Sequence, residues 1–277
     1  MLNNQDFTRY QRQISLPDVG EKGQINIQKS HVLVIGLGGL GSAACSYLAA
    51  AGVGKIVMVD DDSVEVSNLQ RQVAYQESDI GAPKTEALKR HIHALNQSTN
   101  TRCVENRMTD TQLSLEVSLA DVVLDCSDNF QTRQQVNRAC LQARKPLIFA
   151  SAAGWQGQFA IFDFSRSAFH TLGCYHCLVP GMSAQTSSLN MTCEQLGVMG
   201  PVVGCLSNYQ ALAALQKIAT DEFLTPTGVL HCFDGKHLTW QQFRLNRDPH
   251  CQVCSTNSQI KSRQFTSTKP QKSRSDV

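Results

Sequence analysis

Residues 31–60 read HVLVIGLGGLGSAACSYLAAAGVGKIVMVD, and the fold class follows from the order of pieces in this stretch. HVLVI is a short continuous apolar run that passes directly into a glycine cluster, and SAACSYLAAA is rich in good helix formers. The order is strand, turn, helix, and KIVMV then reads as a second buried strand. Gly36, Gly38 and Gly41 supply G-x-G-x-x-G spacing at the strand-to-helix turn. Such a turn lets the backbone approach a polyphosphate, whose charge is favoured by the free N–H groups and dipole of the helix N-terminus. Asp60 closes the second strand, where a carboxylate can accept hydrogen bonds from ribose hydroxyls. Together these features point to a nucleotide without choosing between NAD and ATP. The bland alternative is a glycine turn used only for helix packing.

Outward from this unit the alternation continues. TRCVEN, DVVLDCSD and PLIFASA are further strand candidates, separated by helix-like segments around Lys84–Leu95 and Phe130–Ala143. Strands alternating with helices imply an α/β fold with a Rossmann-like, doubly wound, mostly parallel sheet. After Ala152 the pattern changes: QGQFAIFDF alternates as a half-exposed strand should, so antiparallel strands are expected to extend the sheet. A loop-rich section runs to about Leu196, Leu206–Ala219 reads as an amphipathic helix, and VLHCFDGKHLTWQQFRL places an Asp234-Gly235 turn between two alternating runs, a hairpin signal. The first thirty residues, with RYQRQI at Arg9–Ile14, show no clear period and read as a short helix plus an arm. One domain is expected over residues 1–254, with a nucleotide-binding half of about 1–152 and a second half of 153–254. Residues 255–277, rich in Ser, Thr, Lys and Gln, read as a disordered tail.

The chain has 277 residues, 42% hydrophobic and 17% charged, which is enough for a real core and rules out a scaffold dependent on staples. No apolar run approaches the roughly 18–20 residues that span a bilayer, and the N-terminus lacks the pattern of a secretory signal. The expectation is a soluble, cytoplasmic protein without membrane contact. The net charge of +2 arises from Lys261, Arg263, Lys269, Lys272 and Arg274 in the tail, so the body is slightly acidic and no nucleic-acid partner is indicated. The 11 cysteines, an odd number, favour metal binding or thiol chemistry over a disulfide framework.

Beyond Asp60, VSNLQRQ groups Asn68, Arg71 and Gln72, and Lys84 opens a helix after the Gly81-Ala82-Pro83 turn. Arg71 can grip phosphate oxygens bidentately and Lys84 can act as a point charge, as a reaction that expels pyrophosphate requires. Each also has a bland reading as a solvated surface charge. Asp128 lies just beyond a strand, at the carboxyl edge where open α/β sheets bind ligands. A role in holding Mg²⁺ or phosphate competes there with a helix cap.

Cys174 and Cys177 form one C-x-x-C and Cys251 and Cys254 another, a strong signal for a closed, structural Zn²⁺ site of four thiolates. A thioredoxin-like redox pair is the alternative. Cys193 lies in the loop-rich, glycine-punctuated stretch and is a candidate nucleophile. Cys45, Cys103, Cys126, Cys140, Cys205 and Cys232 are expected to be small core residues.

RYQRQI, VLVIGLGGLGS, VDDDSVEVSNLQRQ, the Lys84 segment, VLDCSDNFQTR, GCYHCL, CEQLGVMGPVVG and CQVC, in this order, resemble the HesA/MoeB/ThiF family of the ubiquitin-activating-enzyme-like superfamily, from about Asp6 to Cys254. GVMGPVVG and FDGK look nearer to the thiamine branch than to the molybdopterin branch. The resemblance implies a homodimer that binds Mg-ATP and adenylates the Gly-Gly terminus of a small ubiquitin-like sulfur carrier protein, with a sulfur donor protein as a further partner. It assigns Gly39 and Gly41 to the phosphate loop, Asp60 to the ribose, and Asn68, Arg71 and Lys84 to the phosphates. Gln72 and Asn129 join the nucleotide set, and Asp128 is placed at Mg²⁺. Arg12 matches an arginine inserted into the neighbouring subunit's ATP site, Cys193 a cysteine that can form an acyl disulfide with the carrier, and residues 153–254 the carrier-binding and zinc half. An NAD(P)-dependent oxidoreductase would explain the glycines and Asp60 but leaves Arg71, Lys84 and Asp128 without a shared purpose. A non-catalytic zinc scaffold leaves the whole polar set unexplained.

Overall fold

The computed structural model describes residues 2–166, 169, 171–180 and 197–255. Strands β1 (His31–Ile35), β2 (Lys55–Val59), β3 (Asn100–Val104), β4 (Val122–Asp125), β5 (Pro146–Ala153), β6 (Gln156–Asp163), β7 (Val229–Asp234) and β8 (Thr239–Arg244) form one 8-stranded sheet of order β3-β2-β1-β4-β5-β6-β7-β8. Strands β1 to β5 pair in parallel, and β6, β7 and β8 extend the sheet antiparallel. The strands are interleaved with helices α1 (Asn4–Ile14), α2 (Gly20–Lys29), α3 (Gly39–Ala50), α4 (Lys84–Leu95), α5 (Asp110–Leu119), α6 (Phe130–Ala143), α7 (Tyr175–Leu178) and α8 (Gly200–Thr220).

Successive residues of the central strands point to opposite faces, and both faces are covered. Val32, Val34, Ile56, Met58 and Leu124 pack with α3, α4 and α8, whereas Leu33, Ile35, Val57 and Val123 pack with α5 and α6. This double burial is why HVLVI and KIVMV read as continuous apolar runs. The strand order reverses between β1 and β4, whose pairing sets Ile35 beside Asp125. The loops leaving those two strands therefore diverge to opposite faces and open a crevice at the carboxyl edge of the sheet.

Five expectations need correction. The N-terminal stretch forms two helices rather than one plus an arm: Asn3 caps α1 by accepting the Asp6 N–H, and Tyr10 is buried with its hydroxyl accepting a bond from Asn96 Nδ2 at 2.9 Å. Strand β6 is half-exposed only at its start, since Phe159 to Phe162 are all buried between the two cores. Helix α8 begins at Gly200, ahead of the expected Leu206, with Pro at its start; it buries one stripe through Val203, Leu206, Gln210, Ala214 and Lys217 and leaves Cys205, Tyr209 and Leu212 exposed on the other face. The hairpin exists, but its loop spans residues 235–238 and the left-handed residue is Leu238 (φ 54°), not Gly235. The cysteine reading is also amended: Cys45, Cys126 and Cys140 are buried, Cys103 and Cys232 are half-buried, and Cys205 is exposed on α8.

Candidate active site

At the crevice Gly36 adopts φ +86°, and a Cβ there would meet the Cys126 carbonyl at 2.8 Å, so only glycine lets the loops after β1 and β4 touch. Gly38 caps α3, and Gly38, Gly39 and Leu40 at this helix start line the opening. The glycine loop is held from both sides. Leu37 N–H donates to Asp60 Oδ2 at 2.6 Å, and Tyr75 O–H donates to the Leu37 carbonyl at 2.8 Å. Gly41 plays a different part: its Cβ would lie 1.9 Å from the Gly36 carbonyl oxygen, so it serves the packing of α3 against the loop and does not line the cleft.

The cleft has a volume of about 530 Å³ and is lined by Gly36, Gly38, Gly39, Asp60, Asn68, Arg71, Gln72, Lys84, Asp128 and Asn129, residues from five separate chain segments. Lys84 is no solvated surface charge. Its side chain is 7% exposed, with Nζ 2.8 Å from Asp62 and 4.0 Å from Asp60. Burial pushes the Asp60 carboxyl above the usual carboxylate range, against the pull of Lys84 and of the Leu37 and Asp62 N–H groups. Arg71 donates to the Ser67 carbonyl at 3.0 Å, and its backbone, with Gln72's, hangs on the Asn68 carbonyl. Asn68 itself is buried in a 3₁₀ turn, its side chain accepting the Glu65 N–H. Gln72 is 3% exposed with Oε1 unpartnered, a buried polar atom at the cleft wall that a ligand or its bound water can satisfy.

On the opposite wall the cap of α6 is Asn129, which accepts the Thr132 N–H at 2.9 Å. Asp128 is thus relieved of capping, and its carboxylate stands exposed at the cleft rim. Behind it, buried Asp125 accepts both N–H and O–H of Ser127, with burial pushing its carboxyl up against the attraction of Arg133. Asp62, Arg107, Ser127 and Arg133 also line this site, and none was singled out from sequence. Arg133 had a signal in the DNFQTR segment, and Arg107, which donates to Asp61 at 3.0 Å, had none.

The two C-x-x-C pairs come together. Cys174 Sγ lies 3.8 Å from Cys251 and 4.0 Å from Cys177, and Cys177 lies 3.4 Å from Cys254. Four thiolates at Zn–S bonds of about 2.3 Å stand about 3.8 Å apart in a tetrahedron, so this set fits Zn²⁺. The sulfurs receive N–H donors from Asp248, Val253 and Cys254 and from Asn137 Nδ2. Cys177 is held low by bonds from Cys174 and Cys254, and Cys174 is pushed up by Cys177 and Cys254, as expected of crowded thiols that cannot all ionise without a cation. Arg12 is exposed on α1 and does not line the cleft, and Cys193 falls outside the described residues.

The ThiF family model matches residues 10–253. The chain is 43% identical over 253 residues to the sulfur carrier protein ThiS adenylyltransferase of Escherichia coli, covering 91% of this chain and 97% of that protein. It is 35% identical to the molybdopterin-synthase adenylyltransferase of Salmonella typhimurium, covering 91% and 98% respectively. Among solved structures, Escherichia coli MccB with succinimide superposes with a TM-score of 0.76 at 22% identity, covering 92% of this chain and 75% of that one, a likeness of fold.

Proposed function

The chain belongs to the ThiF family, and from that premise we propose that it adenylates the C-terminal carboxylate of a small ubiquitin-like sulfur carrier protein ending in Gly-Gly, in the thiamine branch. The observation that carries the reading is the meeting, in one crevice, of the glycine loop, the buried Lys84, Arg71 and the uncommitted carboxylate of Asp128. A hydride-transferring enzyme needs no such ring of charge. In the proposed reaction the carrier carboxylate attacks the α-phosphorus of ATP, the bond from that phosphorus to the bridging oxygen breaks, and pyrophosphate leaves with the electron pair. Arg71 and Lys84 meet the charge that gathers on the departing oxygens. Asp60 fixes the ribose, with Asn68 and Gln72 behind the phosphates. Asp128 would hold Mg²⁺, which supplies charge neutralisation to the polyphosphate.

Cys193 is proposed as the thiol that takes up the activated carrier before sulfur transfer from a donor protein, and Zn²⁺ on Cys174, Cys177, Cys251 and Cys254 as structural. Arg12, exposed and away from its own cleft, suits a homodimer in which it completes the partner's site. We place the protein in the cytoplasm; no helix among the described residues is long and apolar enough to cross a membrane. The molybdopterin branch is the second reading, supported by the 35% identical relative. Transfer of label from α-labelled ATP to a thiamine-type and a molybdopterin-type carrier, compared by kcat/KM, tests both. Preference for the first supports the thiamine assignment, preference for the second replaces it, and labelling of neither rejects adenylation of a sulfur carrier.

A further inference from the structure

Helix α6 carries a polar face that touches both centres of the molecule. Near its C-terminal half, Asn137 is fully buried, accepts the Tyr175 N–H at 3.0 Å and donates to Cys174 Sγ at 3.6 Å. One turn earlier, Gln134, 5% exposed, donates to the Val179 carbonyl and meets His176 Nδ1, both at 2.9 Å, so α6 holds the knuckle on both sides of Cys174 and Cys177. The next residue toward the cleft is Arg133. Its Nε and Nη2 both donate to the Ser127 carbonyl, at 3.1 and 2.7 Å, and its guanidinium lies 5.1 Å over the Phe149 ring. Tyr175, between two of the clustered cysteines, packs on the same Phe149 at 5.0 Å, and the Arg133 guanidinium that covers this ring attracts the Tyr175 hydroxyl electrostatically.

The placement of Arg133 is unfavourable on local grounds. It stands in the opening turns of α6, where the positive end of the helix dipole disfavours a cation. The compensation is tertiary: the buried Asp125 carboxylate attracts it, and the Ser127 carbonyl takes two of its N–H groups. A bidentate grip of this kind needs the planar fork of arginine, which lysine cannot reproduce. Ser127 is the residue immediately before Asp128, so whatever holds its carbonyl sets where the Asp128 carboxylate stands.

We propose that Arg133 is a positioning residue that ties the loop of residues 126–129, and with it Asp128, to Tyr175 of the cysteine knuckle, so that α6 couples order at the metal site to order at the nucleotide crevice. The tie is a matter of this chain's own contacts. Its consequence for catalysis rests on the adenylation reading above.

The test uses the zinc-loaded, full-length protein and two conservative variants, Arg133→Lys and Tyr175→Phe, neither of which removes a thiolate. Amide hydrogen exchange over residues 122–130 is the first readout and does not depend on any assigned activity. Arg133→Lys is expected to speed exchange in this loop by about tenfold or more, with the rest of the chain unchanged and zinc content kept. The second readout is carrier-dependent pyrophosphate exchange, where a displaced Asp128 should lower kcat by about 10² in Arg133→Lys while KM for ATP moves much less. Tyr175→Phe should act in the same direction more weakly, and the double variant should be no worse than Arg133→Lys alone, because the two groups act through one contact. Unchanged loop exchange in Arg133→Lys, loosening spread evenly over the chain, or fully additive effects would overturn the proposal. If wild type catalyses no pyrophosphate exchange with any carrier, the functional reading fails while hydrogen exchange still decides the positioning role.

Discussion

Lys84 shows what a single residue's surroundings add to its identity. The sequence marks it as a cation at a helix start, equally compatible with solvent; its burial beside Asp60 and Asp62 becomes visible only when the β2 and α4 segments are brought together. A desolvated cation that ends in a phosphate-sized cleft is expected to act in the transition state, so Lys84→Ala or Arg71→Ala should slow pyrophosphate exchange by about 10² or more. Near-wild-type rates in both would remove them from the chemistry. Asp60 carries the opposite burden. Because burial raises its folded pKa, the stability gained from its neutral form is complete below the unfolded value of about 3.9 and lost as pH rises through the folded value. Above the folded value the buried carboxylate costs stability, a cost that the proposed ribose contact would explain. Asp60→Asn is therefore expected to raise Tm at pH 7, with the difference from wild type closing as pH falls toward about 4, while ATP affinity drops about tenfold or more. Paired titrations of Tm and ATP binding check this, and a lower Tm at pH 7 contradicts it. Asp128 was legible from its place after a strand, yet the competition with capping was decided by its neighbour: Asn129 takes the cap and frees the acid.

Among the elements, those with long, unbroken patterns were legible to the residue, as with α4 and α6, because both ends carry turn or cap residues. Helix α5 is hidden in the sequence, although Thr109 and Gln112 form a capping box at its start. Its apolar residues Leu113, Leu115, Val117 and Leu119 alternate with polar ones, a strand-like period that gives no helical stripe, so the cap is its strongest helical signal. Strand β6 was misjudged because alternation reports one face at a time, and α8 covers the other. The two glycines of α3 and α8 separate packing from propensity. Gly41→Ala drives a methyl group into the Gly36 carbonyl and should destabilise by about 1–3 kcal/mol, with loss of nucleotide binding. Gly204, inside α8, has nothing within 4 Å of a built Cβ, so Gly204→Ala should stabilise by about 0.5–1 kcal/mol. Urea unfolding of both variants tests the pair, and equal effects would contradict the packing assigned to the glycine loop.

At the scale of the molecule, the cysteine cluster joins the short helix α7 to the segment after β8, so the affinity of the proposed Zn²⁺ would also be folding free energy. Cys251→Ser should lower zinc content and Tm together; metal analysis finding no zinc in freshly purified wild type would end that reading. Spacing alone announced this cluster of four thiols because C-x-x-C is a local pattern, whereas the ring of charge around the cleft was only half legible, since Arg107 and Arg133 reach it through tertiary packing. Which protein docks above the cleft leaves no trace in spacing, and it enters through relatedness. The central claim, that this crevice activates a carrier carboxylate, is tested most directly by exchange of labelled pyrophosphate into ATP, measured with an intact sulfur carrier and with the same carrier lacking its terminal Gly-Gly. The account predicts exchange with the intact carrier and none with the truncated one; equal exchange with both, or none with either, would contradict it.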